Sequence, residues 1–345
     1  MCENHFSISR RTFLGGLGAS AALTASPLGM RFAYAGPVSD RRLLVLMLRG
    51  GMDGLHAVVP FKDKDYRTAR GAMAMPENGL FEIDRGFALH PALAPFRAMY
   101  RNGELLIAHA IAQNYRDRSH FEMQDMLENG GLRPHEFKNG WLNRLTNILS
   151  TNPSGKENAM MIGDAVSLLL QGQTPVNSWS PAVLNEPRPK FLENVRLMYQ
   201  HDAALRRKLF SGLEAAEVGR SIAVTGDKQS FDVLAVAAAK FMAPADAPQI
   251  GVIDIGGWDT HAGQGLAAGG LATNLETLAR GVAKFKQGMG TRWRDTVVIM
   301  MTEFGRTVAG NGTGGTDHGT AGVAFVVGGA VNGGRVVGAW PGLAP

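Results

Sequence analysis

The feature that most constrains this chain is a repeated grammar. A short apolar run ends in a glycine-rich turn, and the turn carries an acid, a histidine or a hydroxyl. Residues 296–329 show it most fully, reading TVVIMMTEFGRT, then a Gly/Asn/Thr-rich loop, then TDHGTAGVAFVVGG. The runs 296–301 and 323–327 are short and β-branched, which predicts buried strands. Glu303 and Arg306 follow the first run, and Asp317 with His318 precede the second. The pattern recurs where RRLLVLML (41–48) meets RGGMDGL with Asp53, and where ELLIAHAI (104–111) meets NYRDRSH with Arg118 and Ser119. It recurs again where QIGVIDI (249–255) meets GGWDTHAGQ with Asp259 and His261. Such a chain is expected to be α/β, a mostly parallel central sheet flanked by helices, with polar groups gathered beyond the carboxyl ends of its strands. The 44 glycines suit the many tight turns this requires.

Residues 1–35 read as an address rather than as part of the fold. SRRTFL is followed by a weakly apolar Gly/Ala/Leu run and then Ala33-Tyr34-Ala35, the layout of a twin-arginine secretory signal with a small-residue cleavage site. The run is too short and glycine-rich to span a bilayer, so no stable membrane anchor is expected. The twin-arginine translocase is the expected export partner, and the location periplasmic or secreted. The only cysteine, Cys2, lies inside this segment. After cleavage, no disulfide or thiolate chemistry remains, and any metal must be held by oxygen and nitrogen. The formal charge of +5 is mild, and no Lys/Arg block interleaved with aromatics points to nucleic acid.

Residues 36–345 are read as a single domain. Within it, 60–89 looks like a surface excursion, and 90–100 like a helix with proline in its first turn, stopped by Asn102-Gly103. Residues 132–248 read as a helical insertion or cap over the sheet, with a Pro-rich loop at 177–189. His135 and His201 read as surface histidines. The segment 328–342 is glycine-rich and offers no closing helix, so the chain is expected to be truncated or frameshifted at Pro345.

Two residues carry double readings. Asp53, in a glycine-rich turn after a strand, is placed as a metal ligand or as the N-cap of a following helix. Ser119 opens a helix as S-x-x-E, so it is either a capping-box residue or a nucleophile beside free backbone N–H groups. Asp259 and His261, two apart, can reach one divalent ion. Gathered along one sheet edge, these acids and imidazoles would accommodate a pair of divalent ions suited to displacement at phosphorus.

The motifs SRRxFL, LRGGMDGL, RSHFEMQ, GGWDTHA, TEFGRT and GTDHGTAGV together resemble exported bacterial proteins of domain of unknown function family 1501, over a stretch from the signal to Pro345. Relatives in that family continue past the WPGL at 340–343. The family is similar in fold to the alkaline phosphatase and sulfatase superfamily. That resemblance implies Asp53 as a ligand, Ser119 as nucleophile, Asp259 with His261 as an acid/imidazole pair, Glu303 as the acid ending a strand, and His318 as a late ligand. The superfamily spaces its Asp and His four apart rather than two, and has Asp-His where this chain has Glu303-Phe304. One imidazole is therefore missing, and one metal ion or two are both open. The expected cofactor is a divalent ion, Zn, Mn, Mg or Ca. The ligands are taken as Asp53, Asp259, His261, Glu303, Asp317 and His318, with Arg306 or Arg118 as an oxyanion clamp. The expected activity is hydrolysis of a small anionic phosphate or sulfate ester. The alternatives are a non-catalytic exported binding or assembly protein, and a metal-free serine hydrolase lacking the G-x-S-x-G elbow.

Overall fold

A computed structural model describes residues 41–149, 157–181, 187–222 and 230–344. The twin-arginine segment lies outside the described residues. Strands are β1 (Arg42–Leu48), β2 (Val58–Val59), β3 (Phe81–Glu82), β4 (Ala88–Leu89), β5 (Leu105–Ile111), β6 (Ala159–Ile162), β7 (Asn177–Trp179), β8 (Ile250–Ile255), β9 (Thr296–Met301), β10 (Gly322–Val327) and β11 (Arg335–Val337). Helices are α1 (Gly54–Ala57), α2 (Tyr66–Arg70), α3 (Ala94–Arg101), α4 (His120–Asn129), α5 (Trp141–Ile148), α6 (Pro189–Met198), α7 (Ala203–Arg220), α8 (Phe231–Met242) and α9 (Gly270–Met289).

The main sheet has the order β11-β5-β10-β9-β1-β8-β6-β7. β1 pairs in parallel with β8 and β9, and β6 with β7 and β8, while β10 runs antiparallel to both β5 and β9. The expected mostly parallel α/β sheet is thus observed. β1 shows why it is central. Leu44, Leu46 and Leu48 pack into a core with Phe231 and Leu234 of α8 and Leu275, Leu278 and Val282 of α9. The alternate residues Val45 and Met47 pack on the other face with Leu142 of α5 and Leu169. Successive side chains point to opposite faces, so a strand apolar at every position is covered on both sides.

Four readings change. Residues 60–89, expected as a surface excursion, carry a small sheet of order β2-β4-β3. Tyr66, Phe87 and Leu89 are buried in this region, and so is Arg70, which reaches Asp53 and the carbonyls of Thr307 and Val308. The block 132–248 is woven into the fold rather than laid over it. It contributes β6 and β7 to the sheet and, in α8, a helix buried against α9 on every face but the stripe Asp232, Val236 and Lys240. Asn177–Trp179 in the Pro-rich stretch pairs as an edge strand, whereas 182–186 lie outside the described residues. Within 328–342, Arg335–Val337 forms a parallel edge strand on β5. These strands are two to four residues long, too short to show alternation in the sequence.

Candidate metal centre

One topological fact assembles the site. β10 runs against its neighbours, so its beginning lies at the edge where the parallel strands end. The turns after β1, β5, β8 and β9 therefore meet the segment before β10. Gly50 permits the closest approach: at φ +127° a Cβ there would lie 2.4 Å from the backbone nitrogen of Asp259. Only a residue without a side chain lets the two turns touch.

Three imidazoles and one carboxylate converge at this edge. His318 Nε2 lies 3.0 Å from His120 Nε2 and 3.0 Å from His261 Nε2. Asp259 Oδ1 is 3.0 Å from His261 Nε2 and 3.3 Å from His318 Nε2, and its Oδ2 is 3.4 Å from His120 Nε2. Each ring turns its other nitrogen to an acceptor. His120 Nδ1 donates to Glu303 Oε1 at 2.7 Å, His261 Nδ1 to Asp317 Oδ1 at 3.0 Å, and His318 Nδ1 to the Arg118 carbonyl at 3.0 Å. Those partners only accept, so Nδ1 carries a proton in all three rings and Nε2 is the nitrogen each ring turns toward the cluster. Nε2 atoms facing one another at 3.0 Å need a shared proton or a cation between them. A tetrahedral ion with bonds of about 2.0–2.1 Å has ligand–ligand edges of roughly 3.3 Å, close to these spacings. His120, Asp259 and His318 are close enough to share one cation, with His261 Nε2 against two of them, and the Nδ1 contacts to Glu303 and Asp317 match the carboxylate–histidine–metal arrangement.

The surroundings tune these groups. Burial pushes the Glu303 carboxyl up. Hydrogen bonds from Gln124 and His120, its own backbone N–H and Thr302 outweigh this, and its pKa ends below the usual range. The Gly50 N–H also donates to its Oε1, at 2.9 Å. For Asp259, burial likewise raises the pKa, but the Arg306 guanidinium, donating at 2.7 Å, holds the group ionised below its ordinary value. Asp317 is held down by hydrogen bonds from Asn311 and His261. Burial, then the neighbouring His120, depresses His318, which keeps that ring neutral. Phe304 floors the cluster, its ring 4.8 Å from both His120 and His318.

Not every expected residue joins the cluster as a ligand. Glu303 and Asp317 stand behind His120 and His261 as acceptors. Asp53 is set apart. It caps α1 through the Leu55 and His56 N–H groups, pairs with buried Arg70, and takes hydrogen bonds from Gln264 at 2.7 Å and His56 at 3.0 Å. Burial raises its pKa, but Arg70 and His56 bring it far below the normal carboxylate range. With its oxygens so occupied, Asp53 is the anchor of a buried ion pair. It reaches the cluster only through Gln264, Thr316 and Arg306, linked by successive hydrogen bonds. Ser119 is the N-cap of α4, its oxygen accepting from Glu122 N–H at 3.5 Å. Arg306 is buried with its Nη2 unpartnered, and Arg118 adopts φ +54°, an uncommon left-handed conformation for a side-chain-bearing residue.

His120 was not foreseen. It arrives from the start of α4, whereas the position after Glu303 at the end of β9 is Phe304. Its only sequence signal was its place beside Ser119 at a strand-to-helix junction. Among the described residues, His120, Asp259 and His318 form the single tight ligand group, with His261 against two of its members. Also among the described residues, no helix is long and apolar enough to cross a membrane.

The family model described as Protein of unknown function (DUF1501) matches residues 106–345. No curated protein matches the sequence. Among solved structures, a phosphonate monoester hydrolase of Agrobacterium radiobacter is similar at 12% identity and TM-score 0.33, with 86% of this chain and 70% of that chain covered. The C-terminal periplasmic domain of EcEptC from Escherichia coli, in complex with Zn, is similar at 9% identity and TM-score 0.34, with 84% and 72% covered. At such values the likeness carries no assignment of site or activity.

Proposed function

For a chain that belongs to the DUF1501 family, we propose metal-dependent hydrolysis of phosphate or sulfate esters, read from the chemistry of its own side chains. The observation that carries this reading is the convergence of three Nε2 atoms and Asp259, with every Nδ1 held by an acceptor. Three imidazole nitrogens and one carboxylate favour Zn or another first-row transition metal over Mg or Ca, which prefer oxygen ligands. Bound there, such an ion supplies Lewis-acid polarisation of a phosphoryl or sulfuryl oxygen. The donors converge on one position, so the reading is of one ion rather than two.

The remaining residues have separable tasks. Glu303 and Asp317 fix the ring orientation of His120 and His261 and raise their basicity. Arg306 keeps Asp259 ionised and aimed. Arg118 has no ion-pair partner among the described residues and supplies positive charge for the ester oxygens. Ser119, whose oxygen caps α4 while its proton stays free, is the nucleophile in this reading. Residues 1–35 export the folded protein through the twin-arginine translocase; a lysine pair at Arg10 and Arg11 should hold it in the cytoplasm.

The test is turnover of aryl phosphate, aryl sulfate and acyl ester panels by zinc-loaded and chelated protein. The reading expects zinc-dependent release from the phosphate or sulfate esters, abolished by Ser119→Ala with metal retained. Metal bound without any turnover would leave a binding protein. Chelator-indifferent cleavage of acyl esters would instead indicate a serine hydrolase. Full activity of Ser119→Ala would pass the attack to water.

A further inference from the structure

A cavity of about 380 Å³ lies beside the metal centre and shares walls with it. Arg306, which holds Asp259, lines it. So do Arg118, whose carbonyl holds His318, and Gly319, next to His318 in the chain. The rest of its wall is mostly apolar side chains and glycine backbone, with Leu55, Val308, Trp340 and Leu343 beside His109 and the two hydroxyl residues Thr307 and Thr320. The volume falls in the range of small-molecule sites, which pair an apolar lining with a few placed polar groups.

Its charge pattern is one-sided. No Asp or Glu lines the cavity, and Arg118 and Arg306 are its charged residues. His109, also in the wall, adds none. Its Nε2–H donates to the Val58 carbonyl at 2.9 Å and its Nδ1 accepts from Ala110 N–H at 2.8 Å, so both nitrogens are satisfied in the neutral ring. Trp340 sets its edge against His109, ring centres 4.9 Å apart, and its indole N–H is tied to Asp63 at 2.9 Å. The aromatic wall is therefore held in place. Two of the positive-φ non-glycine residues, Ala110 at φ 55° and Arg118 at φ 54°, also line the cavity. Strained backbone of this kind persists where surrounding structure over-determines it, and it concentrates at ligand sites.

We infer that this cavity seats the organic group of the substrate, so that the ester has an anionic head beside Arg118 and Arg306 and a compact apolar body of one or two rings. The inference rests on the proposed hydrolase reading and narrows it to aryl-type esters. A polyol body would find few partners there: the Thr307 hydroxyl already donates to the Ala309 carbonyl and accepts from Asp317 N–H, and the indole N–H is tied to Asp63, which leaves the Thr320 hydroxyl.

The experiment separates the cavity from the chemistry by measuring binding as well as turnover. Zinc-loaded protein is titrated with 2-naphthylphosphonate and with methylphosphonate, which carry the same head group and cannot be cleaved as esters. The naphthyl compound should bind at least about tenfold tighter, as burial of its ring surface requires. Ala321→Trp, which fills the cavity from an exposed lining position, should bring the ratio near one with unchanged zinc stoichiometry. Val308→Trp serves as the second variant should Ala321→Trp fold poorly. Equal affinity for the two phosphonates, or a ratio unmoved by both tryptophans, overturns the inference whatever the enzyme hydrolyses. Naphthyl phosphate or sulfate cleaved with a kcat/KM no better than the methyl ester overturns it too. Selective binding without turnover of any ester overturns the hydrolase reading instead, and with it the cavity's assignment to a substrate.

Discussion

Replacing Glu303 by Gln distinguishes a ligand from a residue that orients one. Glu303 Oε1 accepts from His120 Nδ1, Gln124 Nε2 and Gly50 N–H at 2.7, 2.8 and 2.9 Å. Its other oxygen lies 2.9 Å from Thr302 Oγ1, which accepts from Met52 N–H and whose one proton is shared between Glu303 and the Leu48 carbonyl. A glutamine can leave its oxygen at the crowded position and turn its amide nitrogen to Thr302, whose second lone pair receives it. Every hydrogen bond survives, and what disappears is the negative charge behind His120. A hydrogen bond to a charged partner is worth about 1.5–3 kcal/mol against about 0.5–1.5 for a neutral pair, so the push on the imidazole weakens by roughly 1–1.5 kcal/mol. The expected result is a fall in zinc affinity of about tenfold, within the 10–100-fold typical of outer-shell changes. Competition against a chromophoric chelator at neutral pH measures it, alongside a melting curve of metal-free protein that should barely move. Affinity within twofold of wild type refutes the polarising role. A loss beyond about a thousandfold would make Glu303 a direct ligand and refute the geometry. Glu303→Ala is the wrong probe, because it strands three buried donors at about 1–3 kcal/mol each.

Three other substitutions test separate joints of the account. Asp53→Asn removes the charge partner of buried Arg70 and should cost about 3–5 kcal/mol in urea unfolding, while the folded protein still binds one zinc; loss of the zinc would restore Asp53 as a ligand. Gly50→Ala should lose about 2–4 kcal/mol and weaken metal binding, because a Cβ at φ +127° meets the Asp259 backbone; wild-type behaviour in both assays would contradict the close approach. His109 is buried, and desolvation brings its pKa down to about 4, with the hydrogen bond to Val58 acting against that shift. It stays neutral when folded and gains a proton near pH 6.5 when unfolded, so its contribution is whole above about pH 6.5. That contribution fades as pH falls toward 4, by about 3 kcal/mol at most. His109→Gln should flatten the acid limb of stability against pH by about one proton, and an unchanged slope would show the ring is already charged.

The sheet was legible because its strands are long apolar runs that announce themselves one at a time. What the text could not show was direction. Nothing in GVAFVV distinguishes a parallel strand from an antiparallel one, yet the reversal of β10 is what delivers His318 to the same edge as Asp259. Asp259, His261 and His318 were recoverable because glycines and a carboxylate flank them within one turn. His120 was not, since its partners Glu303 and His318 lie more than 180 residues away and its neighbour Ser119 already explained the motif. Asp53 reads as a ligand in a glycine-rich turn. The residue that occupies it, Arg70, sits in a stretch whose polar spelling suggested solvent, and it is held inside by Asp53 and by the Thr307 and Val308 carbonyls, distant in the chain. Local pattern exposes the ends of strands, while the division between ligands and the residues behind them is set by contacts across the fold.

The central claim is that His120, His261, His318 and Asp259 hold one cation between them. Cobalt(II) titration of metal-stripped protein, followed by visible absorption and elemental analysis, tests it directly. The account predicts one equivalent bound with the intense bands of a tetrahedral nitrogen/oxygen site, and their disappearance in both His120→Ala and Asp259→Ala. No stoichiometric cobalt, or one equivalent unaffected by either substitution, would contradict it.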